Sequence, residues 1–372
     1  MTFVDNQVAL RCGFGIAETG IQVLTVAGPD TPSWLTTLSS QIVSGMGAGE
    51  SREMLFLDAN GRVKYAAGIV WEGEVAWLFT SDALALAHFL ESMKFMSRVE
   101  VSVRADLTVW GFFAPSLAED LLVSFGPIWS DPWPGITTGG TAYTLRSQEH
   151  PGQDYSARLG VIPSVDTAKV HTELLKCWEQ LSWPRETTDG YSLSAPAFAS
   201  EEDWRALRIA AWRPYATDID QRTLPHELDW LRTAVHLNKG CYCGQETVAR
   251  IVNLGHPPRR AVFLHLDGTS SLLPPTGAEL YAGSRKVGTV RASANHFEDG
   301  PIALGLVKRT APTGELTVRW QEGGEERSLA AAATLIGDPS GVSWQGQSQI
   351  DRKAFSGAPT RSGSAGSLNI AG

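Results

Sequence analysis

One short segment of this chain combines residue types that could do chemistry: Lys239-Gly240-Cys241-Tyr242-Cys243-Gly244-Gln245-Glu246. Its two glycines flank a cysteine pair, which allows a sharp turn that presents a thiol, and Gln245 and Glu246 are expected to begin the next helix. A cysteine close to Lys239 and near a helix N-terminus has a lowered pKa and more thiolate, the nucleophilic and metal-binding form. The segment therefore predicts a reactive thiol at Cys241. The competing interpretation is that both cysteines are buried, since free cysteine is among the most buried residue types.

Two other arrangements of chemically active residues are weaker. A zinc site could use His226, His236, Cys241 and Cys243, but the single-residue gap of Cys-x-Cys is tighter than the usual zinc knuckle spacing. A Cys-His-acid triad of Cys241, His236 and Asp229 rests on composition alone. We therefore predict no metal site and no catalytic triad.

The overall composition is that of a folded protein. The 372 residues are 43% hydrophobic and 19% charged, a balance that supports sizeable cores and more than one domain. The four cysteines, Cys12, Cys177, Cys241 and Cys243, are too sparse for a disulfide framework and suit a reducing compartment. No window approaches the ~20 apolar residues of a membrane helix, and the N-terminus lacks a basic leader region. We expect a cytoplasmic protein that is neither secreted nor membrane-spanning.

The net charge of −9 argues against a nucleic-acid partner, because the overall field repels polyanions. The basic runs at 258–260 and 308–309 are short and are best explained as solvated surface. We expect no strong direct nucleic-acid binding, no membrane partner, and a monomer.

Hydrophobic periodicity predicts a mixed α+β order in the first part of the chain. A β-branched strand at 21–26 runs into a helix at 33–38 with Asp30 as a possible N-cap, and Asn60-Gly61 forms the turn of a hairpin. Ser81-Asp82 caps a second helix. The remaining elements expected here are strands at 54–57, 63–71, 75–80, 99–103 and 107–110, and the capped helix at 83–96.

The pattern changes along the rest of the chain. Pro, Gly and aromatic residues at 125–140 indicate a loop near a subdomain junction, and helices are expected at 167–181 and 201–211. Short strands separated by turn residues then predict a small all-β barrel or sandwich, at 261–266, 278–281, 286–293, 302–308, 316–319 and 328–334. We divide the chain into a core at 1–255 with subdomains of about 1–110 and 111–255, a barrel at 256–337, and a disordered Ser/Gly-rich tail at 338–372.

The octapeptide Lys-Gly-Cys-Tyr-x-Gly-Gln-Glu resembles the signature of the YgfZ family of folate-binding proteins, with Cys243 at its variable position. The likeness continues upstream through 207–214, 218–220 and 223–227. The segments 28–30, 60–62 and 277–305 are similar to the rest of that architecture. The resemblance covers roughly residues 20 to 335, and its specificity lies in the octapeptide.

The resemblance implies a three-domain ring similar to the glycine cleavage T-protein, built around a central tetrahydrofolate site. It also implies support of iron–sulfur enzymes, including radical enzymes that modify tRNA. By the same resemblance, Cys241 is the functional cysteine. The folate-binding residues that it implies are Lys239, Gly240, Tyr242, Gly244, Gln245 and Glu246, which shape the loop beside the folate, together with Arg208 and Trp212.

Two departures from the T-protein pattern bear on activity. T-proteins have a Glu in an Arg-Leu-Glu-Ala-Gly-like segment that grips the pterin, and here the matching position is Ala210, with Trp212 replacing the Gly. The strand 63–68 also lacks the Asp that T-proteins place after the corresponding hairpin. Aminomethyl transfer is therefore not expected. A folate-dependent one-carbon transferase and a non-catalytic scaffold with a buried cysteine are the alternatives.

Overall fold

The computed structural model describes residues 2–187, 190–270 and 272–344. Within them, the strands form two five-stranded sheets, a short hairpin of Arg185–Glu186 with Ser192–Leu193, and a closed six-stranded barrel. Helices lie on the sheets and between them. The predicted α+β class with a small C-terminal barrel is confirmed.

The first sheet, here called the N-terminal sheet, is antiparallel throughout. Its core forms where the helices Thr31–Leu38 and Ala83–Ser92 pack apolar side chains against the strands. The Asn60-Gly61 turn joins two strands as predicted, since Gly61 has a φ of 76° that an L-residue rarely adopts. In sheet order, the strands are Ser51–Leu57, Val63–Trp71, Val75–Thr80, Gln22–Ala27 and Glu100–Val103.

The two helix starts of this sheet differ in how they are capped. Asp82 accepts a hydrogen bond from the Ala85 amide at 2.9 Å, as the sequence predicts for an N-cap. Asp30 makes no such side-chain bond, because both of its carboxylate oxygens accept hydrogen bonds from Arg98. Asp30 therefore occupies the predicted N-cap position, but its carboxylate binds an arginine 68 residues away and not the helix amides.

The second sheet, here called the middle sheet, contains most of what the sequence analysis missed. Its strands, in order, are Ala197–Ala199, Gly15–Glu18, Leu107–Phe113, Ala157–Pro163 and Trp129–Ser130, and only the first pair is parallel. Four helices accompany it: Phe3–Arg11, Leu117–Leu122, Thr167–Glu179 and Glu201–Ala210. The first of them has little amphipathic pattern, and Gln7 holds it in place through hydrogen bonds to Asp203 and to the Asn295 carbonyl. Long-range contacts of this kind leave no local signal.

The barrel alternates its side chains between two cores. Val262 and Leu264 point into the barrel, whereas Ala261 and Phe263 face the central core of the molecule. This period of two is the pattern that predicted the strands. In barrel order, the strands are Arg259–Leu266, Gly300–Lys308, Arg285–His296, Glu279–Ala282, Gly314–Glu322 and Glu325–Leu335.

A central hydrophobic core joins the N-terminal sheet, the barrel and the chain between them. Leu57 comes from the hairpin, Phe263 and Leu304 from the barrel, and Trp230 from the connecting segment. Tyr242, within the cysteine-containing segment, belongs to the same core. That segment is therefore anchored where the parts of the molecule meet.

The predicted tail begins at residue 338, yet its first residues lie against the 141–146 loop. The Asp338 amide donates to the Tyr143 carbonyl at 2.7 Å, and the Trp344 amide donates to the Ala142 carbonyl at 2.9 Å. The rest of the predicted tail, 345–372, lies outside the described residues.

Across the described ranges, the longest helix has 13 residues, and none is both long and apolar enough to cross a membrane.

Candidate functional site

The cysteine-containing segment 239–246, here called the motif loop, presents both of its thiols to solvent. Cys241 and Cys243 are exposed, while Tyr242 between them is buried in the central core. The interpretation that the two cysteines are buried is therefore wrong. The anchor of the loop is the aromatic ring, and the thiols are free to meet another molecule.

Lys239 holds the start of the motif loop against the N-terminal sheet. Its buried ammonium group donates hydrogen bonds to the carbonyls of Thr36 and Ser39, at the C-terminal end of the helix Thr31–Leu38. Carbonyls at a helix C-terminus lack intrahelical partners and carry partial negative charge, so they suit a cation. The ammonium nitrogen also lies 4.7 Å from the centroid of the Tyr242 ring. Burial lowers the pKa of Lys239 to about 8.

This placement changes the role expected for Lys239. The sequence analysis assigned it to stabilising the Cys241 thiolate, whereas its hydrogen bonds go to two backbone carbonyls about 200 residues earlier in the chain. Its contacts fix the backbone that carries the cysteines. In the structure Lys239 is a positioning residue.

A tight turn completes the loop. The Gln245 amide donates to the Tyr242 carbonyl at 3.3 Å, and Gly244 has φ 81° and ψ −1°, the values of the third residue of a type II turn. The Gln245 side chain closes the loop by donating to the Lys239 carbonyl at 3.2 Å. Cys243 therefore occupies the second position of the turn, where its side chain points outward. The helix Gln245–Leu254 starts immediately afterwards, as predicted, with Glu246 exposed in its first turn.

The two glycines of the loop are not equivalent. A Cβ at Gly244 would lie 2.5 Å from the Asp58 carbonyl oxygen and 2.7 Å from the Gly61 Cα, so this turn packs directly on the Asn60-Gly61 hairpin. A Cβ at Gly240 would meet nothing within 4 Å. Only position 244 requires glycine, both for the positive φ of the turn and for the close approach of the turn to the Asn60-Gly61 hairpin.

The structure does not bring together the residues of the alternative zinc site or those of the alternative triad. His226 is buried and its Nε2 lies 3.3 Å from the Val248 carbonyl, while Cys241 and Cys243 are on the surface. The Asp229 carboxylate accepts hydrogen bonds from the Arg232 side chain and the Tyr143 amide. Within the described ranges, no group of three or more His, Cys, Asp or Glu residues is arranged to hold a metal ion.

A central cavity of about 310 Å³ opens where the N-terminal sheet, the helix Glu201–Ala210 and the barrel meet. A smaller recess of about 40 Å³, here called the inner recess, adjoins the cavity and shares Ile21, Ser81 and Tyr215 with it. Of the predicted site residues, Arg208 alone lines the cavity, and none of residues 239–246 does so. Its lining also includes Trp204, Arg205, Tyr215 and Arg291.

Trp212, also predicted to line the pocket, lies elsewhere. Its backbone adopts a φ of 57°, and its ring packs in the central core with the ring centroids of His150 at 5.3 Å and Phe263 at 6.4 Å. The chain turns sharply after the helix Glu201–Ala210, and this turn directs Trp212 away from the cavity.

Three arginines and the carboxylates of Glu201 and Asp218 set the charge of the cavity. The Arg208 guanidinium makes two hydrogen bonds to the Asp218 carboxylate, at 2.7 and 3.0 Å, so that its charge is matched. Arg291 is buried and donates to two backbone carbonyls, those of Asp218 and Ile219. Arg205 makes a solvent-exposed ion pair with Glu201 at 2.9 Å, which water screens. The cavity therefore has positive charge available from Arg291 and Arg205.

Sequence reasoning missed Arg291 and Arg205 for different reasons. Arg205 precedes Arg208 by one helical turn, so helical spacing places both on one face and could have identified it. Arg291 lies in a barrel strand, and only the docking of the barrel brings it to the cavity.

A buried ion network lines the inner recess through Glu53, Arg213 and Trp230. Arg213 pairs with Glu53 at 2.7 Å and with Asp131 at 2.8 Å, and the Trp230 indole donates to the same Glu53 carboxylate at 2.8 Å. Burial raises the pKa of Asp131, and the Arg213 guanidinium opposes that shift. Both carboxylates are paired with Arg213, and this pairing links the N-terminal sheet to the middle sheet.

Comparison with known proteins places this geometry in context. No family model matches the chain. The chain is 26% identical over 292 residues to a protein of Klebsiella pneumoniae (strain 342) named tRNA-modifying protein YgfZ, with 76% of the chain and 81% of that protein aligned. A protein of the same name from Shigella boydii serotype 4 is 26% identical over 295 residues, with the same coverage. A putative chloroplastic transferase of Arabidopsis thaliana is 31% identical over 113 residues, which are 29% of the chain and 24% of that protein.

Among solved structures, the glycine cleavage system aminomethyltransferase T from Bartonella henselae superposes with a TM-score of 0.62 at 17% identity, covering 89% of this chain and 88% of that one. At this identity, the likeness shows the fold. The predicted relation to YgfZ proteins and the T-protein-like architecture are both confirmed.

Proposed function

We propose, from the kinship of this chain with the tRNA-modifying protein YgfZ, that it binds tetrahydrofolate or a derivative in the central cavity and supports iron–sulfur cluster assembly or repair in client enzymes. Radical enzymes that modify tRNA are the expected clients, in keeping with the name of these relatives. The observation that carries the proposal is the exposed Cys241 thiol on a loop whose backbone is fixed at both ends.

The central cavity has the size and chemistry to hold a folate. Its volume of about 310 Å³ lies at the lower end of the range for small-molecule sites, and the inner recess extends it. The half-buried Tyr215 offers aromatic surface to a flat ring system, and Arg291 and Arg205 offer positive charge to the glutamate carboxylates. Arg208, held by Asp218, supports the wall between these two regions.

The motif loop would act on the client. Thiolates are preferred ligands of iron in iron–sulfur clusters, and Cys241 is accessible to a second protein. The cluster or its iron is then the cargo, and Lys239 and Gly244 keep the thiol in position to meet it. Direct tRNA binding is not part of the proposal, because the net charge of −9 opposes it.

The alternative is a folate-dependent one-carbon transferase. Such an activity needs a carboxylate to handle the pterin, but the Glu of the T-protein segment is replaced by Ala210, and the buried Glu53 and Asp218 are each bound by an arginine. The supporting observations therefore favour the cluster-assembly role. A turnover assay with tetrahydrofolate and methylamine-type donors tests the alternative directly, and multiple turnovers would favour it.

Two experiments test the proposal. Calorimetry and thermal shift with tetrahydrofolate and its formyl derivative test the ligand, since a ligand bound only by the native state raises the melting temperature. No heat and no shift at millimolar folate would exclude the folate assignment.

The second experiment tests the thiol. We expect Cys241→Ala to change stability by only about 1 kcal/mol, since the side chain is exposed and small, while abolishing rescue of iron–sulfur enzyme activity in cells that lack the native protein. Cys177→Ala is the matched control, because Cys177 is also exposed and lies on the unrelated helix Thr167–Glu179. Full rescue by Cys241→Ala would show the thiol to be dispensable.

A further inference from the structure

Cys241 and Cys243 lie on the same side of the motif loop. Tyr242, between them, is buried in the central core, and both neighbours are exposed. Both thiols are therefore open to solvent, and a single residue, whose side chain points into the core, separates them in the chain.

The spacing of the pair along the chain allows a disulfide. Lys239 holds the loop before Cys241, and the type II turn places Cys243 at its second position. Cα atoms two residues apart can be separated by at most about 7 Å, and most disulfides join Cα atoms about 4.4–6.8 Å apart. Gly240, which meets no neighbour within 4 Å, leaves the backbone before Cys241 free to adjust.

We propose that Cys241 and Cys243 form a reversible intrachain disulfide that masks the motif thiol, by exchange with a low-molecular-weight disulfide such as glutathione disulfide. This inference rests on the proposed function, because oxidation removes the free Cys241 thiol that we assign to the client enzyme. Exposed disulfides are the labile and regulatory ones, so the reduced loop is recovered when thiols are in excess.

The exchange proceeds in two balanced steps. The Cys241 thiolate attacks one sulfur of glutathione disulfide, whose S–S bond breaks to release one glutathione thiolate and leave a mixed disulfide on Cys241. The Cys243 thiolate then attacks the Cys241 sulfur, forms the intrachain S–S bond and releases the second glutathione thiolate. The two protein thiols lose two protons and two electrons in total, and the electrons reduce glutathione disulfide to two glutathione molecules.

The test uses the full chain in glutathione buffers, followed by thiol trapping with N-ethylmaleimide and tryptic mass spectrometry. Cleavage after Lys239 and Arg250 yields the peptide 240–250, which holds both cysteines and no others. We expect this peptide to lose two hydrogens and to carry neither maleimide nor glutathione. The glutathione buffer is then diluted ~10-fold at a constant ratio of oxidised to reduced glutathione. The ratio of disulfide to dithiol in the peptide should rise ~10-fold, because closing the intrachain disulfide releases a second glutathione.

Two controls make the result specific. Cys177 is exposed, and in the same digest it should form only a mixed disulfide, whose amount depends on the glutathione ratio and not on dilution. Cys243→Ser should stop at the mixed disulfide on Cys241. Finding only free thiols or glutathione adducts on the wild-type peptide at every ratio and dilution would overturn the proposal.

A folate thermal shift on the reduced and oxidised protein separates this inference from the proposed function. The motif loop does not line the central cavity, so we expect equal shifts in both states. Absence of a shift in both states would contradict folate binding and leave the disulfide standing. A folate shift together with a peptide that stays unoxidised would support folate binding and contradict the disulfide.

Discussion

Replacing Gly244 by alanine should destabilise the protein strongly, while the same change at Gly240 should have almost no effect. The two glycines lie four residues apart in one loop and differ in backbone conformation and in surroundings. Gly244 has a φ of 81°, and its added Cβ would meet backbone at 2.5 and 2.7 Å, whereas Gly240 meets nothing within 4 Å. The pair is therefore a matched test of what holds the loop.

The expected magnitude follows from two terms at Gly244. Placing an L-residue in the left-handed region costs about 1 kcal/mol or somewhat more. The Cβ would also collide with the Asp58 carbonyl oxygen and the Gly61 Cα, and backbone atoms cannot rotate away as a flexible side chain can. Forcing them apart costs about 1–3 kcal/mol, as in other overpacked sites. Gly244→Ala should therefore lower the free energy of unfolding by about 2–4 kcal/mol, and Gly240→Ala should change it by no more than about 0.5 kcal/mol.

The assay is urea unfolding followed by tryptophan fluorescence, with the shift in midpoint converted to a free energy through the common slope. The labelling rate of Cys241 with a chromogenic disulfide should rise in Gly244→Ala, because the turn that orders the loop is lost. Equal midpoints for the two variants would refute the packing of this turn on the Asn60-Gly61 hairpin.

Three further predictions concern acid stability, ligand charge and thiol reactivity. Burial lowers the pKa of His226 to about 4 and that of His150 to about 3. Between these values and about 6.5, each histidine binds a proton in the unfolded chain but not in the folded protein. The free energy of unfolding should therefore fall as the pH drops, by about 2 kcal/mol for each histidine between pH 7 and pH 5. Arg291→Gln should weaken folate binding about tenfold or more, since it removes a charge-assisted contact to a carboxylate. Iodoacetamide should modify Cys241 and Cys243 in the native protein about as fast as the exposed Cys177, since all three thiols are open to solvent, as measured by mass spectrometry of early time points.

Each of these predictions has a control. His226→Gln should remove its share of the pH dependence in urea unfolding at pH 7 and pH 5, and an unchanged slope would contradict the assignment. Arg285→Gln changes an exposed arginine on the same barrel strand and should leave calorimetric folate affinity unaltered. Labelling of Cys241 or Cys243 only after unfolding would contradict the exposure of the motif loop.

The sequence by itself determined the elements whose pattern is local. Periodic apolar residues predicted the barrel strands and the N-terminal sheet, because alternation and helical spacing report which face of an element is buried. The Asn60-Gly61 turn and the helix start at Gln245 were visible for the same reason. The octapeptide was also sufficient to identify the relation to YgfZ proteins.

Only the tertiary structure decided which groups meet. Lys239 bonds the Thr36 carbonyl across 203 residues, and this contact makes it a positioning residue where the sequence indicated a partner for the thiol. Arg291 reaches the central cavity because the barrel docks beside the helix Glu201–Ala210, and Trp212 leaves the cavity because the chain turns there. Local patterns report the environment of a side chain but not its partner, since a hydrogen bond or ion pair depends on the arrangement of distant segments that assemble only when the whole chain folds.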